Sequence, residues 1–288
     1  MGQLHEGLIL KGIGGFYYVE AAGTITECKA RGVFRSRGLV PLAGDHVLFD
    51  SEQGLIGELL PRRNSFVRPP VANVDHFVLV VSTVLPKPDL LSIDKLTVIA
   101  ASQGLHALIV LTKTDEQPAP EVERLYRAAG FEVIDCSAGT GGERELERRL
   151  ADGVSVFAGN SGAGKSSLLN RMAGLGRRTQ QASEHLGRGR HTTREVELFP
   201  FGGGYIVDTP GFSSIDLALT ANVCADGLFG LFPDMVPYAD GCYFADCTHT
   251  KEKGCAVLEA LSQGRIEPSR HKNYCELLEQ LKKIKSWQ

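Results

Sequence analysis

The sequence predicts a multidomain α/β protein, and three features carry that expectation. Short apolar runs without a helical period fill residues 1–68, buried strands alternate with helices over 71–217, and a cysteine/histidine cluster with a final helix lies in 218–288. Those three segments are the expected domains, and 288 residues suffice for each to bury a core of its own.

In the first segment, Gly7–Leu10, Phe16–Val19, Gly23–Cys28 and Asp45–Phe49 are apolar or alternating runs separated by Gly and charged turns. Five or so short strands in so few residues suit a small β-barrel, of OB-fold or SH3-like type. Arg68-Pro69-Pro70 reads as a stiff, extended linker. Then Phe77–Val81, Ala107–Leu111 and Val154–Ala158 are continuous apolar strands of the kind buried on both faces of a parallel sheet. Leu91–Ala101, Glu121–Ala129, Glu143–Leu150 and Lys165–Leu175 are the intervening helices, with Glu132–Asp135 and Tyr205–Val207 as further strands. This alternation is that of a doubly wound domain. A final helix starts near Pro268, with Tyr274, Leu277, Leu278, Leu281 and Ile284 on one face.

Composition narrows the function classes. Apolar content of 43%, charged content of 23% and a formal charge of -3 exclude a polycation, so any nucleic-acid partner must be met by local patches. The opening MGQLHEGLIL has no basic segment followed by an apolar run, and stretches such as His76–Leu85 are too short to span a bilayer. A cytoplasmic protein without a membrane partner is expected. Three of seven cysteines crowd into 242–255, which suggests metal rather than disulfides.

Gly159-Asn160-Ser161-Gly162-Ala163-Gly164-Lys165-Ser166 matches the phosphate-loop pattern, directly after the strand Val154–Ala158 and opening a helix. Its glycines let backbone N–H groups turn inward around phosphates, and the helix N-terminus adds its dipole. Lys165 would reach the β and γ phosphates, and the Ser166 hydroxyl would ligate Mg²⁺.

The base is named by Thr112-Lys113-Thr114-Asp115, at the end of the strand Ala107–Leu111. A carboxylate at Asp115 accepts hydrogen bonds from the ring N–H and exocyclic amine of guanine, and adenine would leave it unpaired. The Lys113 stem can pack over the base, and Ser137-Ala138, after the next strand, can offer a backbone N–H to the guanine oxygen. Asp208-Thr209-Pro210-Gly211 supplies a carboxylate for Mg²⁺ through water and, at Gly211, an N–H for the γ-phosphate. In Gly187–Arg194, Thr193 is favoured over Thr192 as the residue that caps Mg²⁺. Together these motifs describe a GTP hydrolase.

Two features depart from the usual pattern. The base-reading motifs precede the phosphate loop, as a circular permutation of the same sheet would arrange them. The strand before Asp208 then feeds straight into the C-terminal segment. Also, Phe212 stands where many GTPases place a water-orienting glutamine. His191 is the candidate to replace it, and slow hydrolysis awaiting a stimulating partner is expected.

Cys242-x4-Cys247-x-His249-x5-Cys255 offers three thiolates and one imidazole, a closed tetrahedral set for one structural zinc ion. Cys28, Cys136, Cys224 and Cys275 read as small core residues. Three zones are locally basic: Lys29, Arg31, Arg35 and Arg37 around Phe34; Arg177, Arg178, Arg188, Arg190 and Arg194; and Arg270, Lys272, Lys282, Lys283 and Lys285. Basic side chains interleaved with an aromatic suit RNA backbone and base stacking.

This ordered set resembles the ribosome small subunit-dependent GTPase A family, the circularly permuted bacterial GTPases. The resemblance runs through the barrel, T-K-x-D, G-N-S-G-A-G-K-S-S ending at Ser167, G-R-H-T-T, D-T-P-G-F and C-x4-C-x-H-x5-C. It implies an OB-fold, a permuted GTPase domain and a C-terminal zinc domain. It also implies GTP/GDP binding, small-subunit rRNA as partner and subunit-stimulated hydrolysis late in subunit maturation. Thr112 stands where that motif often has Asn, and because threonine can still hydrogen-bond locally, at most a modest loss of nucleotide affinity is expected. A monomer is expected. The other readings are a zinc-containing rRNA-binding module with a largely regulatory nucleotide site, and a P-loop kinase, against which Thr112–Asp115 argues.

Overall fold

A computed structural model of the chain describes residues 4–36, 38–173, 196–208 and 223–285. The chain divides into two compact units that alternate along the sequence. One comprises the described residues of 1–77, 144–157 and 166–212, the other those of 78–143, 158–165 and 213–288.

The first unit opens with β1 (Leu4–Ile13), β2 (Phe16–Ala21), β3 (Thr24–Ala30), β4 (His46–Asp50) and β5 (Leu55–Leu59). They pair in the order β1-β2-β3-β5-β4, and β4 returns to β1. All contacts are antiparallel except β3 with β5. This closed five-stranded barrel is OB-fold-like, which decides between the two barrel types. Alternation along the strands sends Ile9, Val19, Cys28, Val47, Phe49 and Ile56 inward. A five-residue helix, α1 (Gly32–Ser36), interrupts the expected all-strand pattern and inserts Phe34 into the same core. Phe34 therefore does not offer a ring to RNA. Arg31 is exposed, the side chain of Arg35 and all of Arg37 lie outside the described residues, and the Lys29 ammonium sits 4.8 Å from the Phe16 ring centre.

Arg68-Pro69 is a hairpin turn rather than an extended linker. It joins β6 (Ser65–Val67) to β7 (Pro70–Ala72), with Val67 opposite Pro70. Pro70 is tolerated because it is the first residue of its strand. The unit is completed by β11 (Val154–Ala158), β12 (Glu197–Phe201) and β13 (Gly204–Asp208). β11 runs parallel to β13, β12 is antiparallel to it, and β12 meets β1 where Lys11 faces Glu197. There Lys11 Nζ donates to Glu197 Oε1 at 2.8 Å.

In the second unit β10 (Val133–Asp135), β9 (Ala107–Thr112) and β8 (His76–Ser82) lie side by side in that order. The connecting helices are α2 (Leu90–Ser102) and α3 (Pro120–Ala128), and α4 (Gly142–Arg149), which follows, belongs mostly to the first unit. The Asp89 carboxylate caps α2 by accepting the Leu91 N–H, and Pro120 opens α3, where no N–H partner is needed. The helix α5 (Lys165–Ala173) starts within the phosphate loop.

From residue 223 the chain forms short 3-10 turns at 225–227, 229–231 and 236–241 before α6 (Ala256–Ser262) and α7 (Pro268–Lys285). α7 buries Tyr274, Leu277, Leu278 and Leu281, and the side chain of Ile284 lies outside the described residues. Arg270 does not join a basic surface: it is fully buried. It donates to Asp94 Oδ1 at 2.6 Å and to both oxygens of Asp234, while its guanidinium lies against Phe131 and Phe232. Lys272, Lys282 and Lys283 are exposed, and the side chain of Lys285 is outside the described residues. No described helix is long and apolar enough to cross a membrane.

Candidate nucleotide-binding site and metal centre

β8 and β9 end beside the loop 159–165, all within the second unit. Gly159 must be glycine: its φ is +136°, and a Cβ there would lie 2.2 Å from the Val80 carbonyl oxygen. Gly162 and Gly164 also take left-handed φ values, +80° and +91°, which turn the loop on itself. The Lys165 ammonium lies within that ring, donating to the Gly159 and Asn160 carbonyls at 2.6 and 2.8 Å. Burial lowers its pKa below that of an ordinary lysine. Ser161 is exposed and Ala163 buried, and Ser166 and Ser167 are exposed in the first turn of α5.

The Thr112–Asp115 motif is bound to this loop. Thr112 Oγ1 donates to the Ala163 carbonyl at 2.8 Å, and Lys113 Nζ donates to those of Gly162 and Leu85 at 3.2 and 2.6 Å. Threonine at 112 thus supplies the tether between base motif and phosphate loop with its hydroxyl. Lys113 holds φ at +65°, which turns the chain so that the exposed Asp115 projects from the end of β9. Ser137 approaches from the end of β10 and accepts the Thr114 N–H on its hydroxyl at 2.8 Å, with Ala138 exposed beside it. A cleft next to the loop is lined by Ser82, Pro86, Lys87, Asp89, Gly159 and Asn160. No sequence pattern marks the connection that supplies Pro86, Lys87 and Asp89.

Asp208 is the last residue of β13, and its side chain lies outside the described residues. So do His191, Thr192, Thr193, Gly211 and Phe212, together with the basic run from Arg177 to Arg194.

The four metal-ligand candidates converge: one donor atom each from Cys242, Cys247, His249 and Cys255 fall within 4.8 Å of one another. Zinc with bonds of about 2.3 Å to sulfur and about 2.05 Å to nitrogen, at tetrahedral angles, requires S···S near ~3.8 Å and S···N near ~3.6 Å. Cys242 Sγ to Cys255 Sγ is 3.8 Å, and each of those sulfurs lies 3.5 Å from His249 Nδ1. Cys242, Cys255 and His249 therefore stand at the spacings of a tetrahedral ion, and Cys247 Sγ, within 4.8 Å of each of them, is the fourth donor.

The surroundings hold it in place. Cys255 caps α6, accepting the Leu258 N–H on its sulfur. Burial opposes a thiolate at Cys242, but hydrogen bonds from the Ala256 and Val257 backbone N–H groups and from the Cys255 and Cys247 side chains together outweigh it and lower its pKa. Burial also lowers the pKa of His249, favouring the neutral imidazole that a metal needs. Phe229 lies 3.9 Å from the His249 ring centre, His271 Nε2 donates to the His249 carbonyl at 2.7 Å, and the Tyr274 hydroxyl donates to that of Thr248 at 2.8 Å. No disulfide joins any of the seven cysteines. Cys28 and Cys136 are buried and Cys275 is half-buried, whereas Cys224 is exposed and no core residue.

Comparison with known proteins agrees with this geometry. The family model described as RsgA GTPase matches residues 59–218, and that of the RsgA N-terminal domain matches 6–57. A small ribosomal subunit biogenesis GTPase RsgA from Caldanaerobacter subterraneus is 41% identical over 286 residues, covering 96% of each chain. The crystal structure of YloQ, described as a circularly permuted GTPase, superposes with a TM-score of 0.81 at 32% identity, covering 98% of this chain and 96% of its own. YjeQ from Thermotoga maritima gives 0.80 at 32% identity, covering 97% and 99%. With base motif before phosphate loop, an OB-fold-like barrel ahead of both and a Cys₃His cluster behind, the chain belongs to the RsgA family of circularly permuted GTPases.

Proposed function

We propose that this chain hydrolyses GTP to GDP and phosphate on the small ribosomal subunit, as a late factor in that subunit's maturation. The observation that carries the nucleotide half is the direct tether of Thr112 and Lys113 to the Ala163 and Gly162 carbonyls, which sets base reader and phosphate loop in one frame. The ribosomal half rests on the relatives, whose name is small ribosomal subunit biogenesis GTPase.

In this reading the N–H groups of 159–167 surround the phosphates, Lys165 neutralises the β and γ charges, and Ser166 and Asp208 serve Mg²⁺. Asp115 reads guanine, and the Ser137-Ala138 backbone meets its oxygen. Thr193 caps the ion, the Gly211 N–H senses the γ-phosphate and His191 orients water. Zinc on Cys242, Cys247, His249 and Cys255 is structural, since four protein ligands leave no open position. The functional segments are 1–68 for RNA contact, 71–217 for the nucleotide and 218–288 for the zinc module. The place of action is the cytoplasm, where thiols stay reduced, and the working form is a monomer.

The test is the GTP hydrolysis rate of the full chain with and without purified small subunits. Stimulation of about 10³-fold or more is of the size a partner provides by completing a catalytic site. An unchanged rate would remove the subunit-dependent reading.

A further inference from the structure

Asp135 ends β10, and the motifs leave it without a role. Its carboxylate is divided between the two loops that flank the base position. Oδ2 accepts the Thr114 hydroxyl at 2.6 Å, and Oδ1 accepts the Ser137 N–H at 2.9 Å. Ser137 Oγ in turn accepts the Thr114 N–H at 2.8 Å. Three side chains thus close a ring of three hydrogen bonds between the end of β9 and the end of β10.

The carboxylate is itself fixed. Cys136 N–H donates to the Leu111 carbonyl at 2.9 Å, which ties its backbone to β9. The Thr140 hydroxyl donates to the Asp135 carbonyl at 2.7 Å, and Gly142 leaves room for that oxygen, since a Cβ at 142 would stand 1.9 Å from it. Asp115 follows Thr114 directly and is exposed, so the backbone at Thr114 sets where its carboxylate points. On the other side the motif is held by the phosphate loop through Thr112 and Lys113.

We infer that Asp135 is a positioning residue for guanine recognition: it locks Thr114 to Ser137 so that Asp115 and the Ser137-Ala138 backbone face one base. The inference rests on Asp115 being the guanine reader. A carboxylate suits the task because it accepts from both loops at once. One that only stabilised the sheet would affect all nucleotides alike. One that aims Asp115 affects the base edge, where the exocyclic amine is read.

The experiment measures dissociation constants of the full chain for GTP, for ITP, which lacks the exocyclic amine, and for XTP, which carries a carbonyl in its place. The variants are Asp135→Ala, Thr114→Val and, for the underlying assignment, Asp115→Asn. Asp135→Ala is expected to weaken GTP about tenfold and to shrink the GTP-over-ITP preference, and Thr114→Val to do so about threefold, as one or two hydrogen bonds would. Unchanged preference in a folded Asp135→Ala protein overturns the clamp. Should that variant not fold, Thr114→Val decides, because it leaves the Asp135–Ser137 bond in place, and an unchanged preference there overturns the clamp equally. Asp115→Asn should move preference from GTP towards XTP, because an amide can donate to the new carbonyl. If it does and the other variants do nothing, only the clamp fails. If it does not, the guanine assignment fails and takes the clamp with it.

Discussion

The barrel and the C-terminal region hold themselves together by different means. The barrel closes a continuous ladder of backbone hydrogen bonds around seven apolar side chains, so its stability is spread over many small contributions. Residues 223–255 form only short 3-10 turns, and beside the buried Leu228, Phe232 and Met235 they are fastened by a few directional groups. The Cys₃His set ties 242 to 255, and the buried Arg270 ties α7 to α2 and to the Asp234 turn. A short segment without a sheet can still be fixed, but each fastening then matters more.

Metal removal is the strongest way to break that contrast. Structural zinc contributes on the order of 10 kcal/mol in small modules of this kind. Chelation should therefore release 223–262 while the barrel stays folded. Hydrogen exchange reads this directly: the Tyr243 and Cys247 amides, now bonded to the Gly254 and Phe244 carbonyls, should lose protection, and the Val19 amide in β2 should keep it. Equal protection with and without metal would show that the ligands fold the segment by packing alone.

The next effect is Arg270→Met. Asp94 is buried among Arg270, Asn273 and Tyr126, and Asp234 shares the same guanidinium. Burial opposes the charge of Arg270, but the two carboxylates more than offset it and raise its pKa. Removing one partner of such a group typically costs about 3–5 kcal/mol. The loss should depend on pH in a set direction. Burial already raises the pKa of Asp94, and without Arg270 that rise grows. The folded variant then binds a proton more readily than the unfolded chain, so its stability falls as pH rises. Urea unfolding at pH 5 and pH 8 should show the gap from the parent protein wider at pH 8.

Much of this was legible in the residues, and the exceptions share a cause. The phosphate loop, base motif and metal ligands are local patterns whose chemistry needs those residue types at those spacings, so a linear reading finds them. Burial is decided by the periodicity of neighbours. Arg270 stands among cations in the sequence, yet it lies four, seven and eight residues before Tyr274, Leu277 and Leu278 and so on their buried face. Asp94 carried the same signal, with Leu91 and Val98 along one face of α2. Phe34 stands among basic neighbours in the sequence, but a five-residue helix turns its ring into the barrel. Asp135 carries no linear signal because its partners, Thr114 and Ser137, meet only when β9 and β10 lie side by side.

The same replacement in the barrel sharpens the comparison at its small end. Lys11 is the barrel's own buried cation, its side chain 9% exposed, and it pairs with Glu197 while its ammonium lies 5.1 Å from the Tyr18 ring centre. Lys11→Met removes the charge and keeps most of the apolar stem against that ring. What differs from Arg270 is the partner left behind. Glu197 is 34% exposed, so water can take over its oxygens, whereas Asp94 is 1% exposed and water cannot reach it. The cost at Lys11 should stay within about 1 kcal/mol, the range of ion pairs open to solvent. Unfolding of Lys11→Met and Arg270→Met under identical conditions gives the ratio directly. A loss at Lys11 as large as that at Arg270 would mean that the barrel depends on its charged fastening, where β1 meets β12, as strongly as α7 depends on Arg270.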